Sequence, residues 1–397
     1  SFPQIDYLKL RAGWGSSGNQ TARSSSMARV TSDIGYIYGD GVSGAMRQEL
    51  SSLANNDLKW ERTSGFNFGL DFAILNSRIT GNIEFYTTKT KDLLYDVAIP
   101  SITGFTSIRS NVGEIKNKGF ELTINSRNIV TKDFEWTSTF NLSTNSNKIT
   151  KLAGLDTDGD GQEDDLTSSS LFIGESLSAI YDYTIDGIYQ VGDDIPDGFH
   201  PGNYRIVDIN NDGKIDENDR SIIGKADPSC RMGLLNTLKY KGFTLSFFLN
   251  AVLGGSKSYL GKNSYAELVN DNTLRHNRYT EQVDKFWTPS NPDGIYALYH
   301  ANPKINPYRY QNRSFLRRQD ITLSYYLPKQ WMQTIGIDGI NFYMSCKNLL
   351  TFTGWNGWDP GADKSYSDIN GQTRYTGSCY EHDPVMKSVT FGVNVNF

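Results

Sequence analysis

The chain has 397 residues, a formal net charge of −5, 13% aromatic residues and 37 glycines. No apolar run reaches the ~20 residues a membrane-spanning helix needs. Residues 243–253 come nearest, and Ser246 and Asn250 interrupt them. A membrane protein of this make-up has to cross with strands, because a closed sheet satisfies its own backbone with only half of its side chains apolar. The acidic balance, with no basic patch carrying interleaved aromatics, argues against a nucleic-acid partner. Cys230, Cys346 and Cys379 are odd in number and scattered, so they form neither a disulfide framework nor a zinc pattern.

Period-two alternation predicts about ten strands, each near the ~9–11 residues that cross a bilayer at a tilt. In chain order the runs start near Leu8, Phe66, Ile79, Phe120, Phe134, Met232, Phe243, Ile321, Ile340 and Val389. The second run sets Phe66, Phe68, Leu70, Phe72 and Ile74 against Asn67, Gly69, Asp71 and Ala73. The seventh carries Phe243, Leu245, Phe247, Leu249, Ala251 and Leu253 on one face. The last carries Val389, Phe391, Val393, Val395 and Phe397. The first run begins almost at the start of a chain that opens Ser1-Phe2-Pro3, with no Met. The expectation is a piece of a longer polypeptide.

Charge placement and loop lengths separate a barrel from a soluble sandwich. The apolar faces carry no charge in their central spans. Lys9, Arg11, Asp71, Glu84, Glu121, Glu135 and Lys347 lie on the opposite faces. A Lys or Arg facing mid-bilayer lipid costs about 2–4 kcal/mol, whereas a wet interior accepts it. Short links at Asn76-Ser77, 126–132, 240–242 and 328–339 alternate with longer ones at 17–57, 96–107, 151–229, 255–313 and 353–384. If every strand reverses, the turns collect on one side and the loops on the other, as in an outer-membrane barrel. The reading is an all-β, transmembrane antiparallel barrel with long extracellular loops. The alternative from another class is a secreted, calcium-stabilised β-protein used in adhesion.

Two acidic runs in the 151–229 link have metal-loop spacing. In the first, Asp208, Asn210, Asp212, the Lys214 carbonyl, Asp216 and Asp219 match the ligand positions of an EF-hand-type loop, with Gly213 at the sharp turn. Asp219 replaces the usual closing Glu, and no helix pair flanks the run. The expectation is a structural Ca2+ that staples the loop, and the plainer alternative is a solvated acidic turn. In the second, Asp156, Asp158, Asp160 and Asp164 keep the early spacing, but Thr167 stands where the closing carboxylate belongs. Loop aromatics are plentiful: Trp287, Tyr296, Tyr299, Tyr308, Tyr310 and Tyr375, with Trp355, Trp358 and Tyr366 as the candidates for touching substrate. Packing between loops is the alternative for each.

Enzymatic signals are weak. His200, His276, His300 and His382 form no zinc pair at helical spacing. There is no nucleophile elbow or phosphate loop, and Glu163-Asp164 reads as a solvated pair.

A set of motifs carries a family likeness. Leu8-Lys9-Leu10-Arg11-Ala12-Gly13-Trp14-Gly15 precedes Gly18-Asn19-Gln20. Leu58-Lys59-Trp60-Glu61, Lys89-Thr90-Lys91-Asp92-Leu93-Leu94 and Asn117-Lys118-Gly119-Phe120-Glu121-Leu122 follow. Then come Asp208-Ile209-Asn210-Asn211-Asp212-Gly213-Lys214-Ile215, Asp219-Arg220, Tyr240-Lys241-Gly242-Phe243, Phe315-Leu316-Arg317, Asn348-Leu349-Leu350-Thr351-Phe352 and Gly357-Trp358-Asp359-Pro360. In this order they resemble the C-terminal barrel region of SusC/RagA-type TonB-dependent transporters of Bacteroidetes outer membranes. The resemblance implies a plugged barrel of about 22 strands, with residues 1–397 as its C-terminal part. The plug domain and about twelve N-terminal strands would lie outside this chain. It also implies coupling to TonB, a SusD-like surface lipoprotein partner and import of oligosaccharides or peptides. Phe397 fits the last-strand signal of such barrels.

Overall fold

The computed structural model describes residues 4–20, 26–37, 44–258, 284–298, 303–328, 330–331, 336–357, 359–361, 365–367, 373–375 and 385–396. Tyr299, His276, His300, His382, Cys379, Trp358 and Phe397 lie outside the described residues.

Ten long strands form one sheet: β1 Ile5–Asn19, β2 Glu61–Ile74, β3 Ile79–Lys91, β4 Glu114–Val130, β5 Phe134–Lys151, β6 Pro228–Tyr240, β7 Phe243–Gly254, β8 Phe315–Tyr326, β9 Gly339–Thr353 and β10 Ser388–Asn396. Each strand lies beside its sequence neighbours, so the sheet is a plain meander. These are the ten strands expected, but most are longer than the sequence suggests. β5 has 18 residues and β4 has 17. At ~3.3 Å per residue a tilted strand leaves the hydrocarbon after ~9–11 residues, so the remainder extends beyond it. Polar stretches such as Thr144–Lys151 carry no alternating apolar signal, so periodicity does not reveal them.

The register sorts side chains by face. Leu8, Leu10, Ala12 and Trp14 stand opposite Phe72, Leu70, Phe68 and Phe66, while Lys9 and Arg11 stand opposite Asp71 and Gly69. Met344 faces Phe391 and Phe342 faces Val393 at the other end of the chain. The apolar face is open: Leu10 is 65% exposed and Phe391 75%. A soluble sandwich would bury both residues between its sheets. In water, such a stripe would exceed the patch a monomer tolerates, so its natural solvent is lipid.

The chain divides into two compact units, one of Ser1–Ile74, Gly81–Leu122 and Thr144–Leu177, the other of Leu75–Thr80, Thr123–Ser143 and Ser178–Phe397. In the first unit the polar face is held by Arg11. Its guanidinium donates to both Asp71 oxygens at 2.8 and 2.9 Å and to Glu84 Oε1 at 2.7 Å. It lies over Gly69, where a Cβ would come within 2.8 Å of Arg11 Cζ. Gly119 repeats the device: a Cβ there would meet the Tyr86 ring at 2.3 Å. That close approach explains the glycine in Asn117-Lys118-Gly119. In the second unit Tyr343 covers Gly392 at the same 2.3 Å.

One patch in the second unit breaks the apolar rule. Asn236 stands opposite Phe247, on the apolar face of β6. It is buried there, and its Oδ1 accepts from Trp136 Nε1 at 2.9 Å and Ser138 Oγ at 2.6 Å. Asn128 Nδ2 donates to Ser138 Oγ at 2.7 Å. The cluster lies near the short turns, where lipid gives way to headgroups and a tryptophan with a paired N–H is well placed.

Two of the short turns are tighter than the sequence implies, whereas the turn read as Asn76-Ser77 takes four residues, Leu75, Asn76, Ser77 and Arg78. Only Thr131, Lys132 and Asp133 join β4 to β5, and the Thr131 N–H donates to the Phe134 carbonyl at 2.8 Å. Lys241 has φ 52° in the β6–β7 turn, beside Gly242. The long links hold structure that the sequence does not announce. Arg29–Ile37 pairs with Gly44–Ser52 between β1 and β2, and Leu94–Ala98 pairs with Ser107–Asn111 between β3 and β4.

Candidate functional site

The loops, not the sheet, concentrate recognisable chemistry. In the first unit, two sequence motifs meet through side chain–backbone bonds. Asn111 Nδ2 donates to the Lys59 and Asp92 carbonyls at 2.8 and 2.7 Å, and Glu61 Oε1 accepts the Leu94 N–H at 3.1 Å. An apolar cavity of about 210 Å³ lies nearby, bordered by Leu93, Ile149, Leu166, Leu171 and Leu177.

In the second unit the β5–β6 link builds a small core of its own. Ala179–Tyr183 pairs with Arg220–Lys225, and Ile185–Ile188 with Tyr204–Ile206. These hairpins bring together Tyr183, Tyr189, Phe199, Ile206 and Ile215, with Ile195 and Ile305 against them. Part of the β7–β8 link docks on it by main-chain bonds: the Leu298 N–H donates to the Gly202 carbonyl at 2.7 Å and the Lys304 N–H to the Gly198 carbonyl at 2.9 Å. Gly202, at φ 89°, permits this approach, since a Cβ would strike Trp287 and Leu298 at 2.6 Å. Trp287 Nε1 donates to Gln190 Oε1 at 2.8 Å. Burial pushes the Tyr204 hydroxyl up to about 12.

Among the loop aromatics, Trp287 and Tyr296 are only 2% and 3% exposed, so they pack the loops together. Trp355 is also buried, beneath the Arg313 guanidinium at 5.7 Å from its ring centre. Tyr366 and Tyr375 fall in the short paired strands Ser365–Ser367 and Thr373–Tyr375, and their side chains are outside the described residues. The neighbouring Arg317–Asp359 pair is fully engaged. Arg317 Nη2 donates to both Asp359 oxygens at 2.8 Å, and its Nε donates to Thr351 Oγ1 at 3.1 Å. Both residues are buried. Their motifs, Phe315-Leu316-Arg317 and Gly357-Trp358-Asp359-Pro360, are visible in the sequence, but nothing there says that they touch.

The two acidic runs share one hydrogen-bond pattern. Asp208 Oδ2 accepts the Gly213 N–H at 2.9 Å, Asn210 Oδ1 the Asp212 N–H at 3.0 Å, and Asp212 Oδ1 the Lys214 N–H at 2.8 Å. In the other run Asp156 Oδ2 accepts the Gly161 N–H at 3.1 Å, Asp158 Oδ1 the Asp160 N–H at 3.1 Å, and Asp160 Oδ1 the Gln162 N–H at 2.7 Å. They differ in what remains free. Asp219 is fully buried and caps two backbone N–H groups, of Ile209 and Asp216, at 2.9 Å each. Asp216 accepts the Asn218 N–H at 2.8 Å. Asp208 Oδ1 is sealed from solvent with no hydrogen-bond partner. In the run with the weaker sequence pattern, carboxylate oxygens of Asp156, Asp158 and Asp164 converge within 4.8 Å. The Thr157 hydroxyl, and then its backbone N–H, hold the Asp164 carboxyl below the usual range.

Comparison with known proteins places the chain. Residues 4–213 match the family model described as TonB dependent receptor-like, beta-barrel. TonB-dependent receptor P3 of Formosa agariphila is 33% identical over 99% of this chain and 40% of its own length. TonB-dependent receptor SusC of Bacteroides thetaiotaomicron is 33% identical over 91% of this chain and 36% of its own. The chain thus spans about two-fifths of the relatives it matches. A solved structure of the RagAB peptide importer in an open-open state aligns with all of this chain at TM-score 0.74 and 24% identity, covering 41% of that chain. That likeness shows a shared fold. The family is one of receptors and transporters rather than enzymes, and its members lie in the outer membrane. With its meander of long strands and its exposed apolar face, this chain belongs to the TonB-dependent receptor-like β-barrel family.

Proposed function

We propose that residues 1–397 are the C-terminal barrel part of an active outer-membrane importer of oligosaccharides or peptides. In this reading the plug domain, the remaining strands and the segment that meets TonB belong to the rest of a longer polypeptide. The observation that carries it is the sorting of connections: in a meander with strict reversal, every ordered loop assembly sits on the side opposite the short turns. Import needs a mouth that captures a solute, and loops of this length without a role are uncommon. The loops are also where a SusD-like lipoprotein would sit. RagAB is described as a peptide transporter, which supports the peptide class, while the oligosaccharide class rests on the motif resemblance alone.

The test uses the full-length gene. A deletion strain should fail to grow on at least one oligosaccharide or peptide as sole nutrient, and the native protein should yield cross-links to a lipoprotein through its long loops. Wild-type growth on every such nutrient, or cross-links confined to the turns near Asn76 and Lys241, would count against the reading.

The same proposal includes Ca2+ as a staple of the β5–β6 loops. Its support is the turn pattern common to both acidic runs, the unpartnered Asp208 Oδ1 and the converging oxygens of Asp156, Asp158 and Asp164. An ion bound only by the ordered loop would offset part of its ordering entropy. Chelation should increase protease cleavage between β5 and β6 and leave the sheet intact. Unchanged cleavage after exhaustive chelation would remove calcium from the account.

A further inference from the structure

The docked loops of the second unit border an open cavity of about 370 Å³, lined by Gln190, Tyr204, Asp293 and Arg309 among others. Most of its polar wall is already committed. Gln190 Nε2 donates to the Ile188 and Pro292 carbonyls at 3.0 and 3.4 Å, and its Oε1 accepts from Trp287. Gln190 therefore ties the two loops together and has little left to offer a ligand. The Tyr204 hydroxyl, next to the Ala297 backbone, stays protonated at any physiological pH.

Arg309 is different. Its guanidinium stacks on the Tyr296 ring, 5.4 Å from the centroid. Its Nη1 is shut off from solvent and has no hydrogen-bond partner, and the Tyr296 hydroxyl is likewise sealed and unpartnered. Among the described residues Arg309 has no ion pair, whereas Arg205, Arg313 and Arg317 of the same unit each have a partner. A guanidinium cannot shed its charge, and leaving it half-desolvated and unpaired is costly. Arg309 borders the cavity, and the N–H groups of its guanidinium other than the sealed Nη1 suit a carboxylate above other groups. Asp293 on the same wall adds one negative charge, which repels a dianion such as phosphate more strongly than a single carboxylate.

We propose that Arg309 makes this cavity a receptor for one carboxylate group of the imported solute. The inference rests on the import reading and narrows it to solutes that carry an acid. Two sources share that chemistry, the C-terminus of a peptide and a uronic acid of an oligosaccharide.

The full-length protein with its native partner is titrated calorimetrically with two matched pairs of probes: a short peptide and its C-terminal amide, and an oligogalacturonate and its methyl ester. One pair should show about tenfold tighter binding of the charged member, the worth of a charge-assisted hydrogen bond. Arg309→Gln should abolish that preference, and Arg309→Lys should retain part of it because the charge stays while the fork is lost. The pair that responds identifies the source. Equal binding of charged and neutral members, binding of none, or a preference that survives Arg309→Gln overturns the proposal. TonB-dependent uptake of the neutral probes by cells carrying the same variants reports on import separately. Uptake with no acid preference sinks only the role given to Arg309. Acid preference without uptake of any probe sinks the import reading instead.

Discussion

Trp14 and Trp287 show how differently two regions of this chain use the same residue. Trp14 stands on the outer face of β1 and is 73% exposed, whereas Trp287, in the loops of the second unit, is 2% exposed. The sheet turns its apolar side chains outward and is held by its backbone ladder, as a lipid environment allows. The loops turn theirs inward around Tyr183, Tyr189, Phe199, Ile206 and Ile215, as a small domain in water must. Aromatic content alone therefore says little about where a residue faces. The solvent around each region decides, and the chain passes between two solvents at every strand end.

The sharpest way to break this comparison is to truncate both tryptophans. Trp287→Ala removes a packed ring and the tie to Gln190, and should cost the loop assembly about 3–5 kcal/mol. Protease cleavage between residues 178 and 310 should rise steeply, while the heat resistance of the sheet on unheated gels stays unchanged. Trp14→Ala should leave both readouts close to wild type. Equal sensitivity at the two positions would mean that the loops and the sheet do not follow separate rules.

Asp359→Ala tests a second loop anchor. It strips Arg317 of both short contacts and leaves a buried cation, at a cost of about 3 kcal/mol. Hydrogen exchange of the Gly361 amide, which donates to Asp359 Oδ1 at 2.7 Å, should accelerate. Protection that persists would show that the loop is held elsewhere. Within the sheet, Gly392→Ala should have a smaller effect. The added Cβ collides with the Tyr343 ring, which must swing away at about 1–3 kcal/mol. Tyr343→Ala in the same chain should restore room, and a double variant no more stable than the glycine change alone would contradict this account.

The same contrast explains what the sequence makes legible. A bilayer imposes one rule on every strand, so Leu8, Phe68, Phe247 and Phe391 announce their face by alternation alone. Even the exception at Asn236 is local, since a polar residue in an apolar run is visible at once. Its partners Trp136 and Ser138, however, lie about a hundred positions away, with |i−j| of 100 and 98. The loop contacts have no period to betray them. Gln190 meets Trp287, and Arg317 meets Asp359, because chain segments dock in space. The Leu94–Ala98 and Ser107–Asn111 hairpin is hidden for a different reason: its strands have five residues each, too short a run to display a period. Acidic spacing is legible because its ligand geometry is local. Spacing ranks the Asp208–Asp219 run first, but it does not show the convergence of Asp156, Asp158 and Asp164, which depends on how the loop closes.

The smallest effect expected is a pH response confined to that closure. The Thr157 hydroxyl and N–H favour the ionised form of Asp164, so its pKa is lower in the folded loop than in an unfolded one. For a depressed carboxyl the stabilisation is fully present above the unfolded pKa of about 3.9 and is lost as pH falls through the folded value. The window therefore lies below about pH 4. Asp164 is only half-buried and lies in a loop, so the response is local fraying and not unfolding. The Thr157 amide should lose exchange protection across that window, while amides of the buried Ile206 core keep theirs. Asp164→Asn should show the loosened state at every pH, because an amide oxygen accepts the same bonds without the charge that strengthens them. If calcium binds the run, its affinity must fall over the same range, since protons and the ion compete for the same oxygens. A Thr157 amide whose protection is flat with pH while calcium affinity still drops would detach Thr157 from the closure of the loop.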